Sequence, residues 1–455
     1  MRRARWIALL AGSALALTPI AGSAEPGAAI PAMRDDRIVA TGADGRTLGT
    51  LILPSIIVDT PGRNGAPRPL LVVFNGGPGA ASAWLQLGLL GPWHMTEDGR
   101  LEPNREGLWD RADILFVDPL GTGFSRARVD APASVRGRDG DGTYLARAIR
   151  AWMDRHDRRD APVVLMGESY GAERAVAVAA AWRKAHADVH LTGIALVSQT
   201  VLSAFALDRD QSGPLPANLP TMAATACHWH HRADPLACAR ATERVGDHPA
   251  QALAQLGGEP FARLATRRAG MTLGLFRHMA FARQGGVLGL YDSRQVAPAS
   301  PTAPPPIHAD RDPALAALLP RVAQAANRNG RMTLGLDRSP IDGTPYVVYD
   351  KAIRDAWRYP ADPVHDPALI TELAHILHDS GARLLVAGGV FDTVSSYAAD
   401  RRLVAGLDLP PMQITLRSYP GGHMFYLDPA CRHAFIQTLR TWIAAPAALA
   451  NSIGT

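Results

Sequence analysis

Short apolar runs rich in Val, Ile and Leu, each bounded by turn residues, recur at 69–74, 113–117, 163–166, 191–197, 384–387 and 414–418. They are continuous rather than alternating, so each predicts a strand buried on both faces, as in a parallel sheet. Helical patterns separate several of them. Over 144–156, Leu145, Ile149, Trp152 and Met153 fall on one helix face, and 172–186 is an Ala-rich helical run. This alternation predicts an α/β fold with a mostly parallel central sheet flanked by helices. The runs 37–39 and 47–58 predict an antiparallel edge, and 432–443 predicts an amphipathic closing helix.

Between 206 and 340 the strand pattern lapses into helical Ala/Arg/Leu segments and loops. Within it, the Pro-rich run 297–306 argues against regular structure, because Pro fixes φ and lacks a backbone donor. The block predicts a largely helical cap inserted into a core formed by 25–205 and 341–455. No internal repeat is evident.

Charge changes the picture at the N-terminus. Residues 1–24 carry Arg2, Arg3 and Arg5, then an apolar run over 6–17, then Gly22-Ser23-Ala24. That is the layout of a secretory signal peptide and predicts export, periplasmic or secreted. Cleavage there leaves 44 positive against 42 negative side chains, so the formal net charge of +5 falls to +2. All basic residues except Lys184 and Lys351 are Arg, and no basic run is interleaved with aromatics, so a nucleic-acid partner is not expected. The leader is too short to span a bilayer and no later stretch reaches about 18 apolar residues, so no permanent membrane anchor is expected. Of Cys227, Cys238 and Cys431, the first two could close a small loop in an oxidising compartment. His228, His230 and His231 lie between them, but the spacing matches no zinc pattern, and neither metal nor cofactor is expected.

Gly167-Glu168-Ser169-Tyr170-Gly171 sits between a predicted strand and a predicted helix, the context of a nucleophile elbow. A serine hydroxyl is a weak nucleophile, so it needs a base to take its proton and an acid to orient that base. Asp392 follows the run 384–387 and the turn Gly388-Gly389, and His423 follows 414–418 and Pro420-Gly421-Gly422. Both therefore fall at the carboxyl ends of strands, on the edge expected to hold Ser169. The rivals Asp400 and His433 fall on helices. Asn75-Gly76-Gly77-Pro78-Gly79 is a Gly-rich loop able to approach an oxyanion, which assigns that role to the backbone N–H groups of Gly77 and Tyr170.

Taken together these blocks resemble the serine carboxypeptidase family, an α/β-hydrolase family, in its bacterial form. The matching residues are Asn75-Gly76-Gly77-Pro78-Gly79, Leu87-Gly88, Leu90-Gly91-Pro92, the run from Phe116-Val117-Asp118-Pro119 to Gly123-Phe124-Ser125, the Ser169 elbow, Asp392, and Gly422-His423-Met424. The resemblance implies removal of a peptide's last residue through an acyl-enzyme, best at acidic pH. It implies recognition of the substrate's free carboxylate by Asn75, Gly76 and Glu168. A carboxyl group beside another carboxylate resists ionisation and can donate a hydrogen bond while protonated. Three departures stand out: Val73 where eukaryotic members have Trp, Ala80 where a Cys often follows the Gly-rich block, and a run after Asp118 one residue shorter than usual. The Gly-Gly-Pro-Gly run also resembles proline iminopeptidases, so an aminopeptidase, an esterase or acyltransferase, and a catalytically dead binding module remain alternatives. Side-chain specificity is expected to come from the cap and from a loop over 83–93.

Overall fold

A computed structural model describes residues 30–58, 65–203, 286–298, 312–328, 344–360 and 366–444, with positions 218, 220–221, 224–225, 227–228 and 238. The leader and most of the block 206–340 lie outside the described residues. The strands in chain order are β1 (Arg34–Thr41), β2 (Thr47–Ile56), β3 (Leu70–Phe74), β4 (Trp93–Met95), β5 (Leu101–Pro103), β6 (Asp113–Val117), β7 (Arg126–Ala127), β8 (Val163–Glu168), β9 (Leu191–Val197), β10 (Gly286–Leu288), β11 (Val296–Pro298), β12 (Arg383–Gly389) and β13 (Ile414–Tyr419). Nine of them form one sheet in the order β1-β2-β6-β3-β8-β9-β12-β13, with β7 beside β2. Pairing is parallel from β6 to β13 and antiparallel at the β1–β2 edge.

The continuous apolar runs are explained by burial of alternate residues on opposite faces. On one face Val72, Phe74, Leu165, Leu196 and Val386 pack with Leu145, Ile149, Trp152, Val176 and Leu373. These belong to helices α2 (Arg138–Arg155), α3 (Tyr170–Lys184) and α6 (Pro367–Ser380). On the other face Leu71, Val73, Val164, Met166 and Leu385 meet Phe435, Ile436 and Leu439 of α8 (Pro429–Ala444).

Two expectations need correction. The stretch 83–93 is no loop: α1 (Ala83–Leu85) runs into a π-helix, Gln86–Leu90, and every residue of both is buried. Nor does the block 206–340, expected to be largely helical, lack regular structure at the head of its Pro-rich run. It contains the antiparallel hairpin β10–β11, whose second strand includes Ala297 and Pro298 at the head of the Pro-rich run, and helix α4 (Pro313–Arg328). Pro298 ends a three-residue strand, where a missing donor costs little. Cys227 and Cys238 form a disulfide, and Cys431 is a buried free thiol.

Candidate active site

Ser169, Asp392 and His423 follow the carboxyl ends of β8, β12 and β13, which lie in one parallel stretch of the sheet. Ser169 has φ 58° and ψ −128°, a conformation that side chains rarely adopt, and it is the residue from which α3 departs. The flanking glycines permit this turn. A Cβ at Gly167 would lie 1.9 Å from the Gly171 carbonyl oxygen, so no other residue fits there. The strand end is anchored by the Ser169 N–H, which donates to the Val197 carbonyl at 2.9 Å.

His423 Nδ1 and Asp392 Oδ2 are 2.7 Å apart, and both side chains are fully buried. The other Asp392 oxygen accepts from the Val394 and Ser395 N–H groups at 2.8 and 3.1 Å, which fixes the carboxylate's orientation. Burial pushes the Asp392 carboxyl up, and the charge and hydrogen bond of His423 work against that. For His423, burial resists protonation, but the Asp392 carboxylate and Glu168 outweigh it and hold the imidazole above its ordinary value. Nε2 of His423 is buried without a hydrogen-bond partner and lies 3.8 Å from Glu168 Oε1. Ser169, His423, Glu168, Gly76 and Gly77 line one cleft with about 500 Å³ of empty volume. No hydrogen bond joins the Ser169 hydroxyl to Nε2; catalytic contacts of this kind often tighten only around substrate.

The remaining predicted residues group around this pair. A Cβ on Gly76 would be 2.6 Å from the Tyr170 backbone nitrogen, so the Gly-rich loop runs directly against the first turn of α3, where N–H groups lack intrahelical partners. The Tyr170 side chain points into the core, edge-on to Trp357 at 5.4 Å, leaving only its backbone for chemistry. Asn75 is buried behind Glu168: its Nδ2 donates to Glu168 Oε2 at 2.7 Å and its Oδ1 accepts from the Leu85 N–H at 3.1 Å. Burial pushes the Glu168 carboxyl above its ordinary range, against the pull of His423 and Asn75. Val73 is in the core and does not reach the cleft. Asp400 is buried on α7 (Tyr397–Gly406) against Gln199, and His433 is exposed beside Glu106, so neither rival meets the imidazole or the serine.

Several supporting residues carry no motif. Arg174 is buried, pairs with Asp141 at 2.5 Å and donates to the Asn75 carbonyl, tying the Gly-rich loop to α2 and α3. Within the block from Phe116 to Ser125, Asp118 accepts from the Ser82 N–H at 2.7 Å and the Tyr346 hydroxyl at 2.8 Å, which fixes the turn after β6. Described parts of the insertion brace the acid and base. The Tyr291 carbonyl accepts from the His423 N–H at 2.5 Å, and Ser293 N–H and hydroxyl both donate to the Phe391 carbonyl. The disulfide packs on Val390 and Phe391. Of the His cluster only His228 is described, edge-on to Phe391; His230 and His231 lie outside the described residues.

Residues 60–204, from before β3 to beyond β9, match the family model described as serine carboxypeptidase. Over that part, about a third of the chain, the sequence is similar to serine carboxypeptidases. Pheromone-processing carboxypeptidase KEX1 of Yarrowia lipolytica is 36% identical over 113 residues, 23% of this chain and 18% of that protein. The Saccharomyces cerevisiae KEX1 is 48% identical over 60 residues, 13% of this chain and 8% of that protein. The chain thus spans a fifth or less of the length of these relatives. A crystal structure of KEX1(DELTA)P, a prohormone-processing carboxypeptidase from Saccharomyces cerevisiae, covers 90% of this chain and 91% of its own with a TM-score of 0.56 at 15% identity, which shows a shared fold.

Proposed function

We propose that this chain is a serine carboxypeptidase, an exported enzyme that removes C-terminal residues from peptides. The observation that carries the reading is the buried Asp392–His423 pair at 2.7 Å opening onto the same cleft as the strained Ser169 and the buried Glu168. His423 Nε2 takes the Ser169 proton as Oγ attacks the last peptide carbonyl, and Asp392 holds the imidazolium that forms. The oxyanion rests on the Gly77 and Tyr170 N–H groups. Collapse breaks the C–N bond, His423 returns the proton to the departing amine, and water then releases the acyl group by the same route.

Asn75, Gly76 and Glu168 read the substrate's free carboxylate. Glu168, kept protonated by burial in acid, donates to it, so binding favours acidic pH. The leader-like residues 1–24 support export. The test is digestion of N-terminally blocked peptides at about pH 5, read by mass spectrometry. Stepwise loss of C-terminal residues, absent in Ser169→Ala, is expected. Removal of N-terminal residues from unblocked peptides, or turnover of simple esters with no peptide cleavage, would reject the reading in favour of an aminopeptidase or esterase.

A further inference from the structure

Among the described residues one arginine, Arg354, lies in the wall of the cleft beside Ser169, and nothing in the catalytic reading uses it. Arg354 belongs to α5 (Lys351–Asp355), a short helix seated on the Gly-rich loop: the Asp350 N–H donates to the Gly79 carbonyl at 2.9 Å, and Ala80 bridges Tyr349. The acids nearest in sequence are already engaged. Asp350 caps α5 by accepting from the Ala352 N–H at 2.8 Å, and Asp355 pairs with Lys351 at 2.5 Å. Among the described residues no carboxylate forms an ion pair with Arg354. Its partners are phenolic: the Tyr349 hydroxyl at 3.4 Å, a long contact for a guanidinium, and Tyr359. Tyr291 and Tyr349 line the same cleft, as do Trp84, Leu315 and Leu319.

Among the described residues this half-buried guanidinium has only phenolic partners, which leaves most of its hydrogen-bonding capacity unused. An anion entering the cleft would meet that fork of donors in an apolar and aromatic frame, where a charge-assisted pair gains over its value in water. Glu168 and Asn75, the groups assigned to the substrate's terminal carboxylate, bond to each other and not to Arg354. A second anionic feature of the substrate is therefore the natural partner of the arginine. We propose that Arg354 makes the enzyme selective for peptides with an acidic side chain, Asp or Glu, next to the scissile bond.

This inference rests on the carboxypeptidase reading, and the experiment separates the two. N-blocked peptides differing only in Glu, Gln or Lys at either of the last two positions are compared at about pH 5.5 with the wild type, Arg354→Gln, Arg354→Lys and Arg354→Glu. The wild type should favour Glu over Gln at one of these positions by about tenfold in kcat/KM, as one charge-assisted pair allows. Arg354→Gln should erase that ratio, Arg354→Lys should keep part of it, and Arg354→Glu should turn the preference toward Lys. Calorimetric binding of the same peptides to Ser169→Ala should follow the same order, which tests the inference even if turnover fails. Equal treatment of Glu, Gln and Lys by the wild type, or an equal loss on all three in Arg354→Gln, would overturn it. Failure to cleave any peptide while Ser169→Ala still prefers Glu would reject the carboxypeptidase reading and leave the acidic ligand standing.

Discussion

Glu168 faces two ways: Oε2 accepts from Asn75, and Oε1 lies 3.8 Å from the unpartnered Nε2 of His423. Burial raises the carboxyl, and the Asp392 charge raises the imidazole against its own burial, so the two titrate as a coupled set. In the proposed reaction, substrate binding needs a protonated Glu168, whereas proton abstraction from Ser169 needs a neutral His423. KM for free-acid peptides should therefore rise as pH increases through the elevated Glu168 value, and kcat should fall as pH drops through that of His423. Glu168→Gln keeps a donor at every pH, so its KM should stay level between about pH 4 and 8 while the acid limb of kcat persists. Steady-state profiles of both enzymes check this; a wild-type KM that ignores pH would remove Glu168 from carboxylate recognition. The sequence singled out Ser169, Asp392, His423 and Glu168 because glycines and strand ends mark them. It could not show that Asn75 stands behind Glu168, since that contact joins positions 93 residues apart.

The strands were legible at the level of elements, because a doubly buried strand must be apolar throughout; β6 and β9 match their apolar runs to the residue. The hairpin β10–β11 was not, because three-residue strands leave no period to read. Helix α6 went unread although its signals are present: Asp366 caps it through the Leu369 N–H, Pro367 opens it and Gly381 closes it at φ 64°. Helix α7 brings a second buried acid near the site. Asp400 accepts from Gln199 Nε2 at 2.9 Å, and burial pushes its carboxyl up to about 8. The unfolded group ionises near 3.8, so between that value and about 8 the folded chain holds a proton that the unfolded chain releases. Stability must then fall as pH rises through this window. Asp400→Asn, which keeps the acceptor and cannot ionise, should show a smaller drop in Tm from pH 5 to pH 8 than the wild type. Equal drops in thermal unfolding would mean that Asp400 is ionised in the folded protein.

In the molecule as a whole, the sheet brings together three loops from positions 169, 392 and 423, and Tyr291 and Ser293 pack against two of them. The bracing of His423 through Tyr291 and of Phe391 through Ser293 depends on contacts no local pattern encodes. The central claim is that Ser169 hydrolyses the last peptide bond of a substrate recognised by its free carboxylate. The most direct measurement compares one peptide as its free acid and as its C-terminal amide at about pH 5, in the wild type and Ser169→Ala. The account predicts kcat/KM at least tenfold higher for the acid, with release of the last residue alone and no turnover by Ser169→Ala. Equal or faster cleavage of the amide, or cleavage at internal bonds, would contradict it.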